Sequence, residues 1–152
     1  MNAPLLYFGA FAFLAAFNAG TMTTLQIQHY GIYPLVGRDA FARYIRANNR
    51  AAIVPAIVPA MLLLVTTALL LIVRPRFMSA SEAAVAFVLN LTQLVSTFIW
   101  QRRLQAEMAE TGYDDKKTRL LLSTNWIRTV GFLIQALLAT MIVMRALTRL
   151  VD

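Results

Sequence analysis

Few side chains in this 152-residue chain could do chemistry. There is one histidine, His29, and no cysteine. A lone imidazole with no thiolate and no neighbouring carboxylate makes no zinc or di-iron site within one chain. Haem ligation by His29, with one of the seven methionines as partner, stays formally open; no cofactor and no metal are predicted. His29 reads more simply as an interfacial hydrogen-bonding group that could also accept a proton, its reference pKa being about 6.5. Ser79, Ser81, Ser96 and Ser123 lack a nearby base and a G-x-S-x-G setting, and no glycine-rich phosphate loop occurs. What remains is a set of uncharged groups, Asn18, Asn48, Asn90, Gln93, Thr97, Gln101, Asn125 and Gln135, together with Arg128.

The elements that must position these residues follow from composition. The chain is 59% hydrophobic and only 14% charged, against about 25% charged in soluble domains. Residues 3–28 and 51–73 carry no charge at all. Four apolar runs, about 3–25, 51–73, 83–100 and 126–144, each come near the ~20 residues that cross a bilayer as a helix. An ordinary soluble enzyme, a disordered tail and a disulfide scaffold are thereby excluded. The expected fold is all-α, an integral membrane four-helix bundle of antiparallel up-down topology, forming one domain over 1–152. The first run lacks a basic n-region and is long for a signal peptide, so a retained span is expected.

Loop signals refine this picture. After Gly31, Pro34 and Gly37, Asp39 is read as an N-cap. The following turns place Phe41, Tyr44 and Ile45 on one side, with Arg43, Arg46 and Arg50 free to snorkel. Pro55 and Pro59, one turn apart, should kink the second span. Ser79 and Glu82 form a capping box, Gly112 stops the third helix, and Asp114 or Asp115 caps the fourth. Ala12, Ala16 and Gly20 form a small-residue face that allows close approach, read as tight internal packing ahead of a contact with another subunit. The tyrosines, Trp100 and Trp126 read as interfacial or packing groups.

The net charge of +7 does not point to nucleic acid. Ten of the fourteen basic residues fall in the first and third loops and the adjoining helix ends. The positive-inside rule then puts those loops in the cytoplasm and both termini outside, in a bacterial inner membrane.

Within the spans the polar residues are patterned. Asn90, Gln93, Thr97 and Gln101 share an arc of the third helix, and Asn125, Arg128, Thr129 and Gln135 share one of the fourth. Asn18, Thr21, Gln26 and His29 lie on one broad face of the first, and Asn48, Pro55, Pro59 and Thr66 line up on the second. Such residues glue helices together or line a cavity. The expectation is a polar pocket open to the cytoplasm, made of Asn18, His29, Asn48, Asn90, Gln93, Thr97, Gln101, Asn125, Arg128 and Gln135. Arg128 has no Asp or Glu within any span. It either snorkels to headgroups or is satisfied by amides and carbonyls, where it could hold the acidic or carbonyl part of a ligand.

Two stretches carry a resemblance. One is Tyr33-Pro34-Leu35-Val36-Gly37-Arg38-Asp39-Ala40-Phe41-Ala42-Arg43-Tyr44, followed by Asn49-Arg50 and Pro55/Pro59. The other is Trp100-Gln101-Arg102-Arg103-Leu104 with Asn125-Trp126-Ile127-Arg128-Thr129. Over most of its length the chain resembles small four-span bacterial membrane proteins of unknown function, similar to the anthrone-oxygenase-like family. That resemblance implies oxygenation of a polycyclic phenolic substrate. Some relatives carry histidines after the Tyr-Pro turn, where this chain has Ile45 and Asn48.

Three functions compete. The first is binding of an amphipathic small molecule or lipid, or an accessory role in a membrane complex or homo-oligomer. The second is a metal-independent oxygenase-like enzyme with His29, Asn125 and Arg128 as base and oxyanion or phenolate stabilisers, acting on a phenol or quinone. The third is an oligomeric transporter or channel component. The lipid bilayer is the partner common to all three.

Overall fold

The computed structural model describes residues 2–151 and is helical throughout; of the domain read over 1–152, Met1 and Asp152 lie outside the described residues. Helix α1 spans Ala3–Thr24 and runs on through a π-turn, Leu25–His29, and a 3₁₀ segment, Tyr30–Leu35. Helix α2 spans Arg38–Ala51, a second π-turn covers Ile53–Ile57, and α3 spans Val58–Ile72. Helix α4, Ala80–Ser96, passes through a third π-turn, Thr97–Gln101, into α5, Arg102–Thr111. Helix α6, Asp115–Val151, closes the chain. Four of these continuous stretches, Ala3–Leu35, Ile53–Ile72, Ala80–Thr111 and Asp115–Arg149, are long and apolar enough to cross a membrane.

The long helices pack against one another. α1 contacts α3 and α6, and α4 contacts the same two, so each has two neighbours. Polarity is distributed inside out relative to a water-soluble fold. Phe13 is 67% exposed and Met141 69%, whereas Asn18, Asn125, Thr129 and Gln135 are fully buried. Water would penalise the first and lipid would penalise exposure of the second. The architecture is that of a multi-pass helical membrane protein.

Two apolar clusters hold the bundle. The larger joins Phe8, Phe11 and Met22 of α1 to Leu63 and Leu70 of α3, Met78 before α4, and Phe132 and Ile142 of α6. The smaller joins Tyr30, Tyr33, Phe41, Ile45, Leu104, Met108 and Leu121. In a 3₁₀ segment residues three apart eclipse one another, so Tyr30 and Tyr33 enter this cluster side by side. α2 is fixed onto it from outside: it packs on α5, Arg46 donates to the Ala109 carbonyl, and the Phe41 and Tyr113 rings meet edge to face at 5.1 Å. At the other end Arg145 pairs with Glu82 at 2.8 Å and donates to the Phe77 carbonyl.

Caps and breakers mostly act as their chemistry dictates. Ser79 and Glu82 close a reciprocal capping box, Asp114 Oδ1 accepts from the Lys117 N–H at 2.9 Å, and Gly112 ends α5 at φ 83°. Two expectations are corrected, at Asp39 and at the small-residue face of α1. Asp39 is not the cap of α2, because the helix starts one residue earlier, after Gly37, and leaves Asp39 in the first turn without a capping bond. Pro55 sits in a wide π-turn, in which Ile57 N–H reaches back to the Ala52 carbonyl, and Pro59 in the first turn of α3, so the helix is irregular where the prolines were expected to disturb it. The face Ala12, Ala16 and Gly20 is not a tight internal contact: Ala12 touches the core, but Ala16 and Gly20 are exposed, and nothing lies within 4 Å of where a Gly20 Cβ would be.

Candidate functional site

The polar residues of the four long helices separate into a mid-bundle group, a group around Arg128 and a lateral groove. In the middle, Gln135 Nε2 donates to the Ala86 carbonyl at 3.1 Å, Gln93 Nε2 faces Gln135 Oε1 at 3.5 Å, and Asn90 Nδ2 faces Thr67 Oγ1 at 3.5 Å. Gln93 lies over Gly131 so closely that a Cβ there would come within 2.6 Å of its Nε2. This group bridges α3, α4 and α6, its side chains bonded across the helix interfaces.

Nearer α5, Asn125 Nδ2 donates to Gln26 Oε1 at 2.7 Å, and Gln26 Nε2 donates to the Leu122 carbonyl at 3.2 Å. Gln101 Nε2 reaches Thr124 Oγ1 at 3.0 Å, Thr97 Oγ1 donates to the Gln93 carbonyl, and Asn18 Nδ2 donates to the Leu14 carbonyl. Arg128 is buried here. Its Nη2 meets Met22 Sδ at 3.1 Å, and the ionisable group acting on it is the Tyr30 hydroxyl, which also accepts from Gln105 Nε2 at 3.3 Å. Among the described residues no carboxylate pairs with it, and its Nε, like Asn125 Oδ1 and Gln101 Oε1, has no hydrogen-bond partner within the protein. Arg128 therefore does not snorkel outward; it is held by neutral groups.

The groove lies elsewhere, between the first π-turn and the end of α2 with the second π-turn. Thr21, Thr24, Leu25 and His29 form one wall and Asn48, Ala51, Ala52, Pro55 and Ala56 the other, around about 390 Å³. That volume falls within the range of small-molecule sites. His29 lines the groove with the Asn48 side chain as its polar neighbour, and the His29 Nε2 is buried without a hydrogen-bond partner within the protein. The imidazole is boxed by Tyr30, Tyr33 and Tyr44, with ring centroids at 5.5, 5.4 and 6.2 Å. Asn48 Nδ2 faces the Tyr33 hydroxyl at 3.5 Å. Burial pushes the Tyr44 phenol above its ordinary value.

Of the ten residues expected to form one pocket, the structure places His29 and Asn48 on the groove. Asn90, Gln93 and Gln135 form the mid-bundle group. Asn18, Thr97, Gln101, Asn125 and Arg128 lie in the remaining interior. Arg128 is not among the residues that line the groove at His29. Ala51, Ala52 and Ala56 were not anticipated as groove walls, since alanines carry no chemical signal; the one sequence clue was the adjacent Pro55/Pro59 pair. Met22 and Tyr30 were not anticipated as partners of Arg128. Among the described residues no group of three or more His, Cys, Asp or Glu is placed to hold a metal ion. Set against known proteins, the chain matches no family model, no curated protein and no solved structure.

Proposed function

We propose that this chain is a small bundle of four antiparallel transmembrane helices that binds an amphipathic small molecule or lipid in the lateral groove at His29 and Asn48. The observation that carries this reading is the groove itself: a space of about 390 Å³ with Leu25, Ala51, Ala52, Pro55 and Ala56 as its apolar lining and, among its polar residues, His29, whose Nε2 has no partner within the protein. A buried polar atom without a partner costs roughly 1–3 kcal/mol, and a bound hydroxyl or carbonyl removes that cost. An enzyme acting on a phenol through His29, Asn125 and Arg128 together draws less support, because the groove is lined by His29 but by neither Asn125 nor Arg128.

The up-down arrangement is supported by which loops pack together. The first loop, carrying α2, packs on the third-loop hairpin, while Arg145 near the C-terminus pairs with Glu82 beyond the second loop. The Arg-rich first and third loops face the cytoplasm of a bacterial inner membrane, with both termini outside.

The test is native mass spectrometry of the gently extracted protein beside an Ala56→Phe variant. Wild type is expected to carry a co-purifying small amphiphile that Ala56→Phe has lost, with helical content unchanged. Ligand-free wild type, or equal retention by the variant, would sink the reading. Because the chain has no cysteine, a cysteine introduced at residue 43 reads topology cleanly; labelling from outside intact cells would refute the orientation.

A further inference from the structure

The chemistry of the groove walls restricts the head group that can occupy them. Pro55 and Pro59 have no N–H. The carbonyls of Ala51 and Pro55, both on the groove wall, therefore lack their α-helical donors. In the π-turn the N–H groups of Ala56 and Ile57 both go to the Ala52 carbonyl, so neither takes the place of the missing donor to Ala51. Backbone carbonyls only accept hydrogen bonds. Phosphate and carboxylate oxygens are acceptors too and would meet them with like polarity.

Charge points the same way. No Lys, Arg, Asp or Glu lines the groove. On a helix turning 100° per residue, Arg43, Arg46 and Arg50 of α2 fall within about 60° of arc, and Asn48 lies nearly opposite. The cations that would attract an anionic head thus face away from the groove, and all three are exposed. His29 Nε2 can donate or accept according to its tautomer.

Building on the groove reading above, we propose that the site selects a neutral lipid alcohol, whose hydroxyl donates its one proton to the freed Ala51 carbonyl and accepts from the His29 imidazole N–H, over a phosphate or carboxylate amphiphile with the same chains. The head sits between His29 and Pro55, and the chains leave past the exposed Pro55 side.

The experiment offers three lipids with identical acyl chains to the full-length protein in phosphatidylcholine nanodiscs, with retention read by native mass spectrometry. They are dioleoylglycerol, dioleoyl phosphatidic acid and the acetyl ester of dioleoylglycerol. The expected result is retention of dioleoylglycerol, with loss of binding when the hydroxyl is phosphorylated or acetylated. Equal retention of all three overturns the head-group proposal and leaves the groove reading standing. Retention of none, with helicity intact, overturns both.

Pro55→Ala is the sharper variant because it restores a helix donor and does not threaten the fold. It should lower dioleoylglycerol retention roughly five- to tenfold, the worth of about one hydrogen bond. His29→Phe should lower it by a similar factor, and His29→Gln should recover part of the loss. Unchanged retention by Pro55→Ala overturns the role of the freed Ala51 carbonyl, and with it the proposal.

Discussion

At the end of the bundle built from Phe8, Phe11, Phe77, Met78 and Ile142, the interior is apolar and close-packed, and one ion pair, Arg145–Glu82, ties α4 to α6. At the α5 end the interior holds a buried arginine, a row of amides and three tyrosines around a histidine. The helices differ in the same sense. All three π-turns lie in the half toward α5, while the α4 start has a capping box and regular helix. π-turns widen the helix and leave backbone groups without their usual partners, which is why they concentrate at functional sites. The difference teaches that one end is built for packing and the other accepts local irregularity in order to expose polar atoms.

If that contrast holds, substitutions at the two ends should fail for different reasons. The largest effect is expected at Arg128. Arg128→Ala should cost about 3 kcal/mol by equilibrium unfolding in mixed micelles, because it leaves both a cavity and neighbouring polar groups without a partner. Arg149→Ala, on an exposed side chain, should cost almost nothing. Arg128→Met fills much of the space without the unpaired charge, so it should be neutral or stabilising by about 1 kcal/mol. A cost as large as that of Ala would mean the charge itself holds this end.

At the apolar end, Phe11→Ala should cost about 2 kcal/mol. There the alternative environment is lipid, so the cavity contribution of ~24 cal/mol per Å³ dominates over transfer to water. A polar rescue at this site, such as Phe11→Asn, should make matters worse; improvement would erase the contrast between the ends. Next comes a pair of glycines. Gly131→Ala drives a methyl into Gln93 and should cost about 1–2 kcal/mol, whereas Gly20→Ala meets nothing and should be neutral or slightly stabilising. Equal effects would show that the mid-bundle contact is slack.

The smallest effect lies at the α5–α6 turn. The Lys117 backbone N–H holds the Asp114 carboxyl below its ordinary value of 3.8. A depressed folded-state pKa means that the cap's contribution is complete above the ordinary value and is lost as pH falls through the lowered one. Asp114→Asn should keep the turn intact under acid. Amide exchange at Lys117 against pH checks this, and parallel profiles for the two proteins would remove Asp114 from the account.

Much of this contrast was legible beforehand. The four apolar runs, the Ser79–Glu82 box, the Gly112 stop and the inward amide faces of α4 and α6 follow from spacing, because regular helices carry a face along their whole length. The pocket was less legible, and the π-turns explain why. Each takes in an extra residue, so the face predicted at 100° per residue is rotated downstream. Asn18 keeps its register on α1 and is buried as expected. Past Leu25–His29 the helix gives way to a 3₁₀ segment, and Tyr30 and Tyr33, read as interfacial or packing groups, take the packing role. Gly20 was misjudged for another reason: a small-residue face looks the same in sequence whether a neighbouring helix fills it or not.

What the sequence determined by itself is the class of molecule: a helical membrane protein with its basic residues segregated by loop and its polar side chains along inward faces. Those properties depend on composition and on periods of a few residues, which local chemistry sets. What only the tertiary structure decided is which polar groups are used up and which are left. Gln93 and Gln135 find each other across 42 positions, and Asn125 finds Gln26 across 99. His29 Nε2 is left without a partner within the protein, on a groove whose other wall is mostly alanine. Hydrogen bonds between distant positions depend on relative helix rotation and height, which no single helix specifies.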